Sequence, residues 1–167
     1  AFTDRHEDYY PDALRPAIDA INQRVYDGIN NGVYRVGFAR DQAAYEEAVD
    51  LLFGTLDWLE EHLGHARYLA GTQITEADWR LLPSLLRFDL VYHPLFRCNQ
   101  RTIASYPNLT NYLRELYQHP GVASLVNLPH FVRGYYSIPH SNPGGIIPRV
   151  PMFYEQWLIA PHDRARQ

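Results

Sequence analysis

Between positions 45 and 63 the apolar residues are Tyr45, Ala48, Val49, Leu52, Leu56, Leu59 and Leu63. Steps of three and four place all of them on one helical stripe. The acidic residues Glu46, Glu47, Asp50, Glu60 and Glu61 fall on the outward faces. This is a long amphipathic helix ended by Gly64 or Gly71, and its stripe must be buried by something else in the chain. No strand-like alternation reaches useful length and no internal repeat is visible, so the partners are other helices. The expected fold class is all-α, a bundle of about six or seven helices.

The remaining stripes supply those partners. Leu14, Ile18, Ile21, Val25 and Ile29 form a helix face that runs into Gly28-Ile29-Asn30-Asn31-Gly32, a stretch rich in turn-forming residues. Tyr34 is therefore expected in a loop between helices. Thr75-Glu76-Ala77-Asp78 resembles a capping box with Asp at its third helical position, and Ile74 and Trp79 suit the hydrophobic staple around it. The apolar run from Trp79 continues to about Tyr92, with Pro83 predicting a kink or an early 3₁₀ turn. Further helices are expected from Asn108 to Gln118, Val122 to Val126 and Pro129 to Tyr136. Trp79, Leu52, Leu56, Leu85 and Leu113 are expected in the core. After Ser137, the residues Pro139, Pro143, Gly144, Gly145, Pro148 and Pro151 predict an irregular, non-helical tail over 137–167 that packs through Ile146, Ile147 and Val150. The whole of 1–167 reads as one domain.

Charge and composition remove several function classes. The 15 basic residues are all Arg, and 19 acidic residues leave a net charge of −4. A duplex-binding domain shows the opposite balance, so no nucleic-acid partner is expected. Without Lys there is no Schiff-base chemistry and no Walker-type phosphate grip. The single Cys excludes an internal disulfide and a CxxC pair. Apolar runs are too short to span a bilayer, and Ala1 to Tyr10 is polar and acidic, unlike a signal peptide. No membrane partner and a cytoplasmic location are expected. The chain does not begin with Met, which fits a piece of something longer.

Three groups of residues could carry chemistry. His62 and His65, beside Glu61, have helix-end spacing that could serve a metal, but no further ligand is spaced to complete a site. Exposed His is favoured at a helix C-terminus anyway, so no metal is expected. Cys98 follows Arg97, whose charge would favour a thiolate, yet no His or carboxylate is placed by the sequence to activate it, and a structural role is preferred. The 13 tyrosines are more telling. A tyrosine-lined cleft suits a flat aromatic ligand, with rings for stacking and hydroxyls for orientation. Composition alone favours ordinary packing for them.

Several motifs in order then narrow the reading. Thr75-Glu76-Ala77-Asp78-Trp79-Arg80, Arg87-Phe88-Asp89, and Tyr106-Pro107-Asn108-Leu109 with Tyr112-Leu113 resemble the C-terminal helical domain of glutathione transferases. Asn30-Asn31-Gly32-Val33-Tyr34-Arg35, Phe88-Asp89-Leu90-Val91-Tyr92, Gly134-Tyr135-Tyr136, Asn142-Pro143 and Ile146-Ile147-Pro148 are similar to the Xi class, the glutathionyl-hydroquinone reductases. The resemblance implies an N-terminal thioredoxin-like domain with a Cys-Pro-Trp motif, neither of which this sequence contains, so the isolated chain is expected to be inactive. It implies a glutathione-dependent reaction that removes glutathione from a glutathionyl-hydroquinone, giving hydroquinone and glutathione disulfide. It implies a homodimer, with glutathione held mainly by the missing domain. It maps the active-site tyrosines onto Tyr34 and Tyr135, whose hydroxyls would bind the quinol, with Tyr136 and Tyr92 beside them. The competing expectation is a non-catalytic helical domain used for assembly.

Overall fold

The computed structural model describes residues 7–164, and the flanking 1–6 and 165–167, with parts of the polar start and the tail, lie outside the described residues. The long stripe forms α3, Gln42–His65. Its start is fixed by Asp41, whose side chain accepts from the Ala44 N–H, an N-cap that satisfies one of the free amides of the first turn. Leu52, Leu56, Leu59 and Leu63 are fully buried along it.

Two other rods pack around α3, and each contains a π turn. α1 (Arg15–Val25) continues through a π turn at Tyr26–Asn30 into α2 (Gly32–Gly37). The turn-rich Gly28–Gly32 stretch is therefore helical, and Tyr34 stands on α2 instead of in a loop. The glycine serves close approach here: a Cβ on Gly28 would lie 2.1 Å from Thr55 Oγ1 on α3. The second rod is α4 (Glu76–Arg87), a π turn at Phe88–Tyr92, and the one-turn α5 (His93–Leu95). Pro83 does not interrupt α4; it is exposed, so water can serve the carbonyl that its missing N–H leaves free.

α6 (Pro107–Gln118), α7 (Val122–Leu125), α8 (Leu128–Tyr136) and α9 (Phe153–Leu158) complete an all-α bundle. Counting each π-joined pair once gives seven rods among the described residues. The N-terminus of α6 is held by Glu60 of α3, whose carboxylate accepts from the amides of Asn108 and Leu109 at 2.9 and 2.8 Å. At α4 the capping box forms, and its Asp78 is completely buried. Asp78 accepts from the Thr75 N–H and hydroxyl, from the Leu69 N–H and from the Tyr112 hydroxyl.

Leu52, Leu56, Leu85 and Leu113 are core residues, but Trp79 is not. It is half-buried at the edge, with Tyr9 and His119 rings against it. The tail also departs from its sequence reading. It contains α9, because Tyr154 and Leu158, four positions apart, share one helical face and bury it against the body. Ile146 and Ile147 are exposed; Val150 packs on the core as expected. α6 clamps the end of α9, with Arg114 donating to the Trp157 carbonyl and Gln118 to those of Leu158 and Ala160. Arg164, fully buried, donates to the carbonyls of Leu63 and Ala66 at the end of α3, where a cation is favoured by the helix dipole.

Candidate active site

Tyr34 on α2, Tyr92 at the end of the second π turn and Tyr135 on α8 meet at their hydroxyls. Tyr34 and Tyr135, 101 positions apart, have hydroxyl oxygens 2.7 Å from one another. Tyr92 and Tyr135 are 3.0 Å apart in the same way. A π turn takes an extra residue into the helix and so resets which face the following residues present, and such turns recur at functional sites. One precedes Tyr34 and the other ends on Tyr92.

Phe96 is the common wall of the trio, with ring centroids 5.6 Å from Tyr34, 5.7 Å from Tyr92 and 6.0 Å from Tyr135. Gly37 admits it, since a Cβ there would lie 2.7 Å from Phe96 Cγ. Phe38 stacks on Tyr34 and tilts against Phe96. Sequence reasoning missed both phenylalanines. Phe38 and Phe96 follow Tyr34 and Tyr92 by four residues, the spacing at which helical side chains touch, and that was the available signal.

The Tyr34 and Tyr92 hydroxyls hold their protons more tightly than a free phenol. Burial, then the bond to Tyr135, raises the pKa of Tyr34, and burial first raises that of Tyr92. Three phenols carry three protons, and the two mutual bonds use two of them. The Tyr92 hydroxyl is buried against that of Tyr135, and donating to Tyr135 keeps its proton paired. The remaining proton belongs to Tyr34 or Tyr135, both half-buried, and can be offered to an external oxygen. Chained hydroxyls polarise one another, which strengthens that last donor. Tyr136, about 100° further round the α8 helix, makes none of these bonds; its carbonyl accepts from Asn142.

A hollow of about 210 Å³ opens beside Tyr135, lined also by Arg87, Phe131 and Ile138. A larger hollow, about 710 Å³, lies past Phe38 between Arg40, Arg97 and His140 and touches none of the three tyrosines. The tyrosine chemistry, not volume, locates the site.

The other candidates do not assemble. Cys98 is fully buried, and burial pushes its thiol up to about 12 against the opposing pull of Arg97, so it is not a nucleophile. His62 is half-buried instead of exposed; its Nε2–H donates to the Leu69 carbonyl and its ring stacks on Trp58. His65 is exposed. Among the described residues no group of three or more His, Cys, Asp or Glu could hold a metal ion, and no helix is long and apolar enough to cross a membrane.

The sequence profile of the family described as glutathione S-transferase, C-terminal domain, matches residues 42–115. Glutathionyl-hydroquinone reductase PcpF of Sphingobium chlorophenolicum is 56% identical over 145 residues, which cover 86% of this chain and 46% of that protein. Glutathionyl-hydroquinone reductase YqjG of Escherichia coli (strain K12) is 49% identical over 159 residues, 94% of this chain and 47% of that protein. The glutathione-bound structure of YqjG superposes with a TM-score of 0.91 at 47% identity, covering 96% of this chain and 52% of that one. A Xi-class glutathione transferase from Natrialba magadii gives 0.93 at 43% identity, covering 99% of this chain and 50% of that one. The chain spans about half the length of the relatives it matches.

Proposed function

Because the chain belongs to the Xi-class glutathione transferases as their C-terminal helical domain, we propose that it is the quinol-binding half of a glutathionyl-hydroquinone reductase. The observation that carries this is the trio of Tyr34, Tyr92 and Tyr135, which leaves one polarised O–H facing out of an aromatic wall. A ring packed on that wall would place its oxygen against the free donor. A purely structural domain has no need for such a donor, so the trio favours the enzyme reading over the assembly reading.

In the reaction proposed for the parent protein, a cysteine thiolate of the N-terminal thioredoxin-like domain attacks the thioether sulfur of the glutathionyl-hydroquinone. In the keto tautomer the ring carbon already carries the added proton. An S–S bond forms to glutathione and the ring C–S bond breaks, its electron pair passing through the ring to the carbonyl oxygen, which takes a proton and restores the hydroquinone. A second glutathione thiolate then attacks the mixed disulfide, releasing glutathione disulfide and the cysteine thiolate. Overall the thioether sulfur of the conjugate and the thiol sulfur of the second glutathione are oxidised to the disulfide, the ring carbon is reduced, and the cysteine is regenerated. Tyr34 and Tyr135 bind the quinol oxygens and stabilise the keto tautomer from which the C–S bond cleaves, by hydrogen bonding that strengthens as charge develops on oxygen. Tyr92 supports Tyr135 from behind, and Tyr136 stands nearby on α8. We take the parent to be a cytoplasmic homodimer.

The test is turnover of a glutathionyl-hydroquinone with glutathione, followed by release of hydroquinone and glutathione disulfide. The full-length protein should catalyse it, and the 167-residue chain alone should not. Turnover by this chain alone that disappears in Cys98→Ser, or none by the full-length protein, overturns the reading.

A further inference from the structure

We propose that the hollow beside Tyr135 is a subsite for a single aromatic ring bearing a negative charge, and that Arg87 recognises the charge. The proposal rests on the quinol-binding reading and deepens it by naming the substrate class.

Size sets the first limit. The hollow measures about 210 Å³. A dry engineered cavity of about 150 Å³ holds one benzene, so this open hollow has room to seat a substituted ring. Phe131, Gly134 and Ile138 supply apolar wall on one side, and Tyr135 joins the hollow to the hydroxyl trio. A ring seated here would have an oxygen within the reach of the site already described.

Charge sets the second limit. Arg87 is half-buried, with its guanidinium carbon 4.0 Å from the centroid of the Phe131 ring. Its Nη1 donates to the Pro83 carbonyl at 2.6 Å, which leaves most of its five N–H donors uncommitted. No acidic residue lines the hollow, and none of the ion pairs among the described residues includes Arg87. A guanidinium laid on an aromatic face is already partly dehydrated and fixed in orientation, so it loses little on meeting an oxyanion. The same charge acts on Tyr34, where it opposes the upward push of burial on that hydroxyl. Arg87 therefore sits where it can bind a ring carboxylate while Tyr34 and Tyr135 hold the quinol oxygen. His130 is the other titratable lining group and is exposed at the mouth.

The arginines around the larger hollow, Arg40 and Arg97, have no such link to the trio. A ligand of that hollow would touch the site only through Phe38.

The experiment compares two substrates in the full-length protein: the glutathionyl conjugate of unsubstituted hydroquinone and that of a ring-carboxylated hydroquinone, dihydroxybenzoate. The parent should favour the carboxylated conjugate in kcat/KM. In Arg87→Gln the ratio of the two should fall roughly tenfold to a hundredfold, the range expected for one charge-assisted hydrogen bond, and mostly through KM. Arg87→Lys should restore part of it. Equal losses on both conjugates would make Arg87 merely structural, and an unchanged ratio would remove it from recognition; either overturns the proposal. If the parent turns over neither conjugate, the reductase reading fails, and calorimetric binding of dihydroxybenzoate to the full-length protein decides the subsite separately. Binding weakened in Arg87→Gln supports the subsite, and binding that is absent or unaffected overturns it.

Discussion

The Tyr92 hydroxyl meets that of Tyr135 at 3.0 Å from the buried side of the trio. With the Tyr92 proton paired to the Tyr135 oxygen, the spare proton of the group stays on Tyr34 or Tyr135. In the full-length enzyme, Tyr34→Phe and Tyr135→Phe should each lower kcat more than they raise KM, because the ring and its stacking remain. The loss should be on the order of 1–3 kcal/mol of barrier stabilisation if the donor approaches oxyanion-hole strength. Tyr92→Phe should cost less in kcat, since it removes only the polarising neighbour, and about 1 kcal/mol of stability for one buried hydrogen bond. Steady-state kinetics on the three variants decide this. Unchanged kinetics in both Tyr34→Phe and Tyr135→Phe would take the trio out of the mechanism.

Thr55 occupies the place where a side chain on residue 28 would go. A Cβ at Gly28 would lie 2.1 Å from Thr55 Oγ1 and 2.7 Å from its Cβ. Gly28→Ala should therefore destabilise by about 1–3 kcal/mol, the usual cost of overpacking. Thr55→Ala removes the nearest atom and should recover part of that loss in the double variant, giving a coupling energy beyond additivity. Urea denaturation of the four proteins measures the cycle, and an additive result would show that the π turn at Tyr26–Asn30 and α3 do not pack this closely.

The long rods were legible in sequence because their apolar steps are regular: α3, α4 and α6 stand where Tyr45 to Leu63, Thr75 onward and Asn108 to Gln118 place them. The same regularity misleads wherever glycine serves packing. Gly28 reads as a turn residue, yet it admits Thr55, and Gly37 likewise admits Phe96, contacts between segments far apart in the chain that no local pattern encodes. Pro83 reads as a kink because its solvent exposure is a tertiary fact. Trp79 reads as core from its spacing, but it sits in the first turn, at the rim of the bundle. Of the candidate site, the resemblance named Tyr34 and Tyr135 with Tyr136 and Tyr92 beside them, and the hydroxyls of Tyr34, Tyr92 and Tyr135 meet while that of Tyr136 does not join them. The Phe96 wall behind Tyr92 depends on the π turn at Phe88–Tyr92, whose extra residue is invisible to a periodicity count, and Arg87, at the end of α4, meets Phe131 only through the tertiary fold.

Asp78 binds four donors from three segments of chain, so it should matter more than an ordinary cap. Thr75→Ala removes one hydroxyl donor and should cost about 1 kcal/mol. Asp78→Asn keeps the shape but turns one acceptor edge into a donor, against either the Thr75 amide and hydroxyl or the Leu69 amide and Tyr112 hydroxyl. Buried donors left unpaired cost roughly 1–3 kcal/mol each, so this variant should lose roughly 2 kcal/mol or more. Urea midpoints with an unchanged slope are the readout, and an Asp78→Asn midpoint above that of Thr75→Ala would refute the ordering.

Cys98 gives the fold an alkaline sensitivity whose sign is fixed by its burial. Burial pushes the thiol up to about 12 in the folded chain, whereas an unfolded cysteine titrates near ~8.5. Below the unfolded value both states hold the proton and the contribution is complete. As pH rises further, the unfolded chain releases its proton first, so stability falls with pH until the folded thiol titrates too. Tyr68, also raised to about 12, starts from 10.0 and adds its loss later, so the interval from about pH 8 to 10 isolates the thiol. Across it the parent should lose on the order of 1 kcal/mol relative to Cys98→Ala, which carries no ionisable group there. Native Cys98 should also resist a thiol reagent at pH 8 and react on unfolding. Parallel stability curves for the two proteins, or rapid labelling of the folded chain, would mean that the thiol is not held in this environment.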